Sequence, residues 1–199
     1  MGLQRYKVLI LVVSAVSALL VASPALQQLV VAPPSQNLTE LALLGEYHNA
    51  TYPYNVTAGE NKRLYVDVTN RLGACAYYML EMKFGNETQS APNSFNHTNS
   101  DLPALGNLSL VVADEKTLEL PLDVAFQYTL DENISDTLNM QTITLNGAAL
   151  NANATTLALN PDRGGFYGNL IFELWIYNDT AGAFQYHQRY VSLWLKMAV

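Results

Sequence analysis

The sequence predicts an all-β protein, an Ig-like antiparallel two-sheet sandwich preceded by a single N-terminal transmembrane helix. Three observations carry this reading. A stretch without a charge runs from Val8 to Ala32. After it, runs of alternating apolar and polar residues recur between turn signals, and none has a convincing helical period. The chain holds one cysteine, Cys75, so the domain must be held by its core and not by internal disulfides.

The apolar stretch comes first. A helix over residues 8–32 would be roughly 37 Å long, against a hydrocarbon core of about 30 Å. Arg5 and Lys7 stand just before it, which predicts a short cytoplasmic N-terminus over residues 1–7 and an extracellular C-terminal domain. Ser23-Pro24-Ala25 has the small residues of a signal-peptide cleavage site, but apolarity resumes at Leu26 and again at Leu29-Val30-Val31. An uncleaved anchor in contact with membrane lipid is therefore the expectation. Ser14, Ala18 and Ala22 recur every fourth residue, a stripe of small side chains on which another helix could pack.

Pro33-Pro34 ends the helix and opens a polar tether over residues 33–39, leaving residues 40–199 as one domain with a real core. Net charge of -7 and a pI near 4.8 exclude a nucleic-acid partner, which needs a basic stripe. Charged residues make up 14% of the chain, a thin solubilising coat. Sugar is the expected supplement. Half of the 18 asparagines stand in Asn-x-Ser/Thr motifs: Asn37, Asn49, Asn55, Asn86, Asn96, Asn107, Asn133, Asn153 and Asn178. An N-glycosylated domain without disulfides fits an archaeal surface protein.

The strands follow in order. Glu40 to Leu44 is a short first one. In Lys62 to Asn70, Leu64, Val66 and Val68 alternate with Tyr65, Asp67 and Thr69, the signature of a half-buried strand. Arg71-Leu72-Gly73 turns into Ala74 to Phe84, where Ala76, Tyr78, Leu80, Met82 and Phe84 face in while Glu81 and Lys83 face out. These two strands are expected to form a hairpin. Gly85 to Pro103 reads as an exposed polar loop. Leu108 to Ala113 and Thr117 to Tyr128 are strand-like, and Leu130 to Asn139 is a short helix or a loop. Met140 to Leu145 and Thr155 to Leu159 are strands separated by the Ala/Asn-rich residues 146–154. Asn160 to Gly165 is a turn. After it Leu170, Phe172, Leu174 and Ile176 alternate with Ile171, Glu173, Trp175 and Tyr177. The last strand, Tyr186 to Met197, turns Val191, Leu193, Leu195 and Met197 inward.

Two stretches carry a resemblance. They are YPYNVTAGENKRLYVDVTNRLG (Tyr52 to Gly73) and GNLIFELWIYNDTAGAFQYHQRYVSLWLKM (Gly168 to Met197). The aromatic-Pro before an N-V-T sequon, the G-E-N turn, the V-x-V-x-N strand and the closing F-x-L-W … L-W-L hairpin resemble an archaeal membrane-protein family, the domain of unknown function numbered sixteen-sixteen. The likeness covers about a quarter of the chain. It implies an outward-facing β-sandwich on a membrane anchor and supplies no catalytic residues. Members often carry several transmembrane helices where this chain has one apolar stretch.

No catalytic or metal constellation stands out. His48, His97 and His187 lie far apart without zinc-ligand spacing, and there is neither a G-x-S-x-G elbow nor a Gly-rich phosphate loop. Asp131, Asn133, Ser135 and Asp136 imitate the start of a calcium loop, but Asp136 and Thr142 stand where it needs Gly and Glu, so a solvated acidic loop is expected. No cofactor is implied. The best candidate surface is aromatic. Pairing of the last two strands would set Glu173, Trp175 and Tyr177 on one face with Tyr186, Gln188 and Tyr190, able to stack on sugar or anchor a protein. The competing reading is a cross-strand ladder that only stabilises the hairpin, the commoner use of such rows.

The expected function is a non-enzymatic, membrane-anchored glycoprotein serving as an accessory or scaffolding subunit among other envelope proteins. Two alternatives are a pilin-like filament subunit, with the apolar helix in the shaft, and an extracellular module for a glycan or solute.

Overall fold

In the computed structural model the chain divides into two units, residues 1–36 and 37–199. The structure describes residues 6–7, 11–14, 16–18, 38–131 and 136–199. In the first unit those residues are helical and exposed. Among the described residues no helix is long and apolar enough to cross a membrane, and the expected single-pass anchor with its inside-outside orientation is corrected accordingly. Ser14 and Ala18 lie in the helical pieces, whereas Ala22 and most of 8–32 lie outside the described residues.

The second unit is all-β. Its strands are β1 (Leu38–Leu44), β2 (Asn55–Thr57), β3 (Asn61–Arg71), β4 (Ala76–Asn86), β5 (Gly106–Val112), β6 (Lys116–Leu130), β7 (Thr137–Leu145), β8 (Ala148–Asn151), β9 (Thr156–Asn160), β10 (Gly165–Asn178) and β11 (Ala183–Ala198). They form a curled sheet in the order β1-β3-β6-β7-β9-β10-β11-β2, with β4 and β5 extending from β10 and β8 from β7. The short β9 makes the bend, pairing with β7 through Leu138↔Leu157 and with β10 through Phe166↔Leu159.

The curl encloses the core. Leu64, Val66 and Val68 of β3 and Leu122, Val124 and Phe126 of β6 point inward from one side. Tyr78, Leu80, Met82 and Phe84 of β4 and Leu170, Phe172 and Leu174 of β10 point inward from the other. The rings of Phe84 and Phe126 meet at 5.6 Å between centroids. Each such side chain contributes about 1.5–3 kcal/mol by leaving water. The residues read from the sequence as inward on β3 and β4 are therefore core residues.

The expected hairpin between the second and third sequence strands is overturned. β3 pairs with β1 and β6, while β4 pairs with β5 and β10. Residues 72–75 are an arch that carries the chain across the core. Alternation cannot tell an arch from a hairpin, because both leave one face of each strand buried. Asn70 holds the arch. Fully buried, its amide nitrogen donates to the carbonyls of Ala74 (2.7 Å) and Val112 (2.8 Å), and its oxygen accepts from Leu72 N–H and the Tyr78 hydroxyl.

Two small strands, β2 and β8, lie outside the runs that alternation marks. β2 pairs in parallel with the end of β11, and the buried Tyr128 hydroxyl reaches across the core to the carbonyls of Val56 (2.7 Å) and Ala198 (2.8 Å). β8 returns along β7 through Asn146-Gly147, both with positive φ (49° and 84°), the backbone of a two-residue hairpin turn. That Asn-Gly pair was the available sequence signal for β8.

Candidate functional site on the outer face

The outward residues of β5, β4, β10 and β11 lie in rows across the strands. The outermost row is Val111, Tyr77, Tyr177 and Phe184. Val111 is opposite Tyr77, and Tyr177 opposite Phe184. Tyr77 closes the row, its ring 5.9 Å from Tyr177 and 5.0 Å from Phe184. Val111 is 62% exposed, Tyr77 41% and Tyr177 37%, so this row meets solvent. The next row pairs Trp175 with Tyr186, ring edge to face at 5.6 Å.

Pairing of the last two strands was the condition for the aromatic face, and they pair, but with a bulge. The register jumps from Leu174↔Arg189 to Trp175↔Tyr186, leaving His187 and Gln188 unmatched, Gln188 at φ 57°. The bulge turns His187 inward. Its Nε2 lies 2.7 Å from Thr39 Oγ1, which lies 2.9 Å from the Tyr78 hydroxyl, which donates to Asn70 Oδ1 at 3.2 Å. Arg189 adds a hydrogen bond to the Thr39 carbonyl (3.1 Å). Burial, helped by the Arg189 charge, lowers the His187 pKa. This clasp joins the edge strand β1 to β11. Neither Thr39 nor the bulge had a signal in the sequence pattern.

The third row is ionic and buried. Glu173 stands opposite Glu81 on one side and Tyr190 on the other. It was expected on the outer surface with Trp175 and Tyr177, but it is fully buried, and Lys83, also expected outside, is 3% exposed. The segment between β4 and β5, expected to be a free loop, packs over them. Ser100, itself buried, donates its N–H to Glu173 Oε1 (2.7 Å) and accepts from Lys83 Nζ at its carbonyl (2.8 Å). Lys83 Nζ is 2.8 Å from Glu173 Oε2 and 3.8 Å from Glu81 Oε2. Burial is the main cause raising the Glu81 carboxyl pKa, with the Lys83 charge opposing it. The Tyr186 hydroxyl is pushed up to about 12, chiefly by burial and then by the Glu173 charge. Of the six residues expected on the face, Tyr177 and Gln188 are exposed, Trp175, Tyr186 and Tyr190 are half-buried, and Glu173 is withdrawn.

The other sequence candidates are dispersed. Asn49, Asn55, Asn96, Asn107 and Asn153 are exposed and Asn86 and Asn178 half-buried, while Asn37 and Asn133 lie outside the described residues. His48 stacks on Tyr65 (4.0 Å) and pairs with Glu119 (2.8 Å), and His97 sits in the covering segment. Among the described residues no group of three or more His, Cys, Asp or Glu is placed to hold a metal ion. Of the calcium-like run, Asp131 accepts from Asn139 Nδ2 at 3.1 Å, while Asn133 and Ser135 lie outside the described residues.

No family model matches the chain, and no curated protein does. Among solved structures it is similar to a β-glucosidase from Listeria innocua in complex with glucose, at 7% identity and a TM-score of 0.39, over 82% of this chain and 16% of that one. The same enzyme with isofagomine gives 7% identity and 0.39 over 83% and 17%. The chain thus spans about a sixth of the length of the proteins it resembles. Likeness of that size transfers no activity.

Proposed function

We propose that this chain is a non-enzymatic, glycosylated exported protein that serves as an accessory or scaffolding subunit of an archaeal envelope complex. It binds its protein partner through the outermost aromatic row. The observation that supports this most is the row itself. None of Val111, Tyr77, Tyr177 and Phe184 carries a charge, the rings of Tyr77, Tyr177 and Phe184 meet, and Val111, Tyr77 and Tyr177 are open to solvent, the composition of an interface centre. The sequons provide the solubility that the 14% of charged residues does not.

We read the curled sheet as an Ig-like two-layer sandwich. The orders β1-β3-β6 and β11-β10-β4-β5, with crossings at β3→β4 and β5→β6, match that layout. On the same reading the chain is a relative of the sixteen-sixteen family. Its two sequence stretches hold β2 with β3 and β10 with β11, and β2 lies beside β11.

The test is native mass spectrometry of the full protein purified from its source, beside a Tyr77→Ser/Tyr177→Ser variant. A glycosylated species with a stoichiometric protein partner is expected, and the variant should recover it at least about tenfold less, the equivalent of about 1.4 kcal/mol. A partner retained equally by the variant overturns the aromatic interface. A partner-free species that binds soluble glycan, lost in the variant, would instead make the row a sugar platform.

A further inference from the structure

A buried amine, a buried carboxyl and a backbone N–H meet under the covering segment. Lys83 on β4 and Glu173 on β10 are an amine and a carboxyl on adjacent strands, both buried, with Nζ 2.8 Å from Oε2. Despite that distance Oε2 accepts no hydrogen bond of acceptable geometry. The Lys83 amine is directed instead by the Ser100 carbonyl, and the other carboxyl oxygen, Oε1, takes the Ser100 N–H. A second carboxyl, Glu81, stands directly opposite Glu173 and 3.8 Å from Nζ.

We propose that Lys83 and Glu173 condense spontaneously into an intramolecular amide, a covalent cross-link between β4 and β10. A proton passes from Nζ to Oε2 within the ion pair, leaving an amine with a free lone pair and a carboxylic acid. The Nζ lone pair attacks Cδ of Glu173 and the Nζ–Cδ bond forms. The charge that develops on Oε1 is met by the Ser100 N–H, as in an oxyanion hole. The Glu81 carboxyl protonates the Oε2 hydroxyl, the Cδ–Oε2 bond breaks and water leaves. The Glu81 carboxylate then takes the surplus proton from Nζ and is restored. One ammonium and one carboxylate become one secondary amide and one water, with no oxidant, metal or nucleotide. The raised pKa of Glu81 is the direction a proton donor needs. Such a link would tie two central strands in a domain whose lone cysteine, Cys75, can form no internal disulfide.

Peptide mapping of the full chain after denaturation and glycan removal tests this directly. The expected result is a joined pair of tryptic peptides, lighter than their sum by one water, linked at Lys83 and Glu173 and uncut after Lys83. Separate peptides of full mass, or a water loss that maps elsewhere, overturn the proposal on the natural chain, whether or not any variant folds. Lys83→Arg keeps the cation without the attacking amine and should give no joined pair. Glu81→Gln should form the link at least about tenfold more slowly, and an unchanged rate removes Glu81 from the proton transfer.

Discussion

His187 is the residue at which the end of the chain grips its beginning. A single direction of donation runs through the clasp, from His187 Nε2–H to Thr39, from Thr39 to Tyr78, and from Tyr78 to Asn70. Burial, and after it the Arg189 charge, lowers the imidazole pKa below the ordinary value of about 6.5. A depressed pKa makes a contribution that is present above the unfolded value and is lost as pH falls through the folded one. The unfolding free energy from urea titrations should therefore fall more between about pH 7.5 and about pH 5.5 in the natural protein than in His187→Gln, by at most about 1.4 kcal/mol per pH unit. Equal falls in both would show that the ring does not sense pH. Nothing in the spacing of His187 marked this role. Sequence placed it near a strand start, and the bulge alone decided that it turns inward.

Among the elements, β10 shows where sequence periodicity stops being informative. Leu170, Phe172, Leu174 and Ile176 were legible as a core face. Their alternates Ile171 and Glu173 looked like a solvent face and are buried, because a non-periodic segment between β4 and β5 folds over them. A covering loop leaves no trace in the pattern of the strand it covers. The same strand is fitted closely on its inner side. A Cβ added at Gly168 would come within 2.1 Å of the Phe84 ring, so the position needs glycine for space. Gly168→Ala should cost about 1–3 kcal/mol in chemical denaturation. The added change Phe84→Leu should recover part of that loss, a coupling that unrelated sites would not show.

At the scale of the whole molecule, stability rests on polar groups that cross the core as well as on the core itself. The Tyr128 hydroxyl ties β6 to β2 and β11, and Tyr78 ties β4 to β1 and β3. Burial raises the pKa of both, and that of Tyr186 on the outer face to about 12. A raised pKa makes a contribution that is complete below the unfolded value of about 10 and is lost as pH rises through the folded value. Unfolding free energy should thus decline from about pH 10 upward, and the decline should be shallower in Tyr128→Phe. An identical alkaline limb in both proteins would mean that Tyr128 ionises as freely folded as unfolded.

Period-two alternation is enough to specify the all-β class, most strand positions and the inward residues of β3, β4 and β11, because it records which side of a strand meets the core. The sequence by itself also determined that no disulfide closes the domain and that asparagines suited to glycans are plentiful. Tertiary structure decided which strand pairs with which, the arch at Asn70, the bulge that turns His187, and the burial of Lys83 with Glu173. Pairing and coverage join residues tens of positions apart through backbone hydrogen bonds and through packing that any alternating strand can accept. A local pattern fixes the face of a strand and leaves its neighbours open.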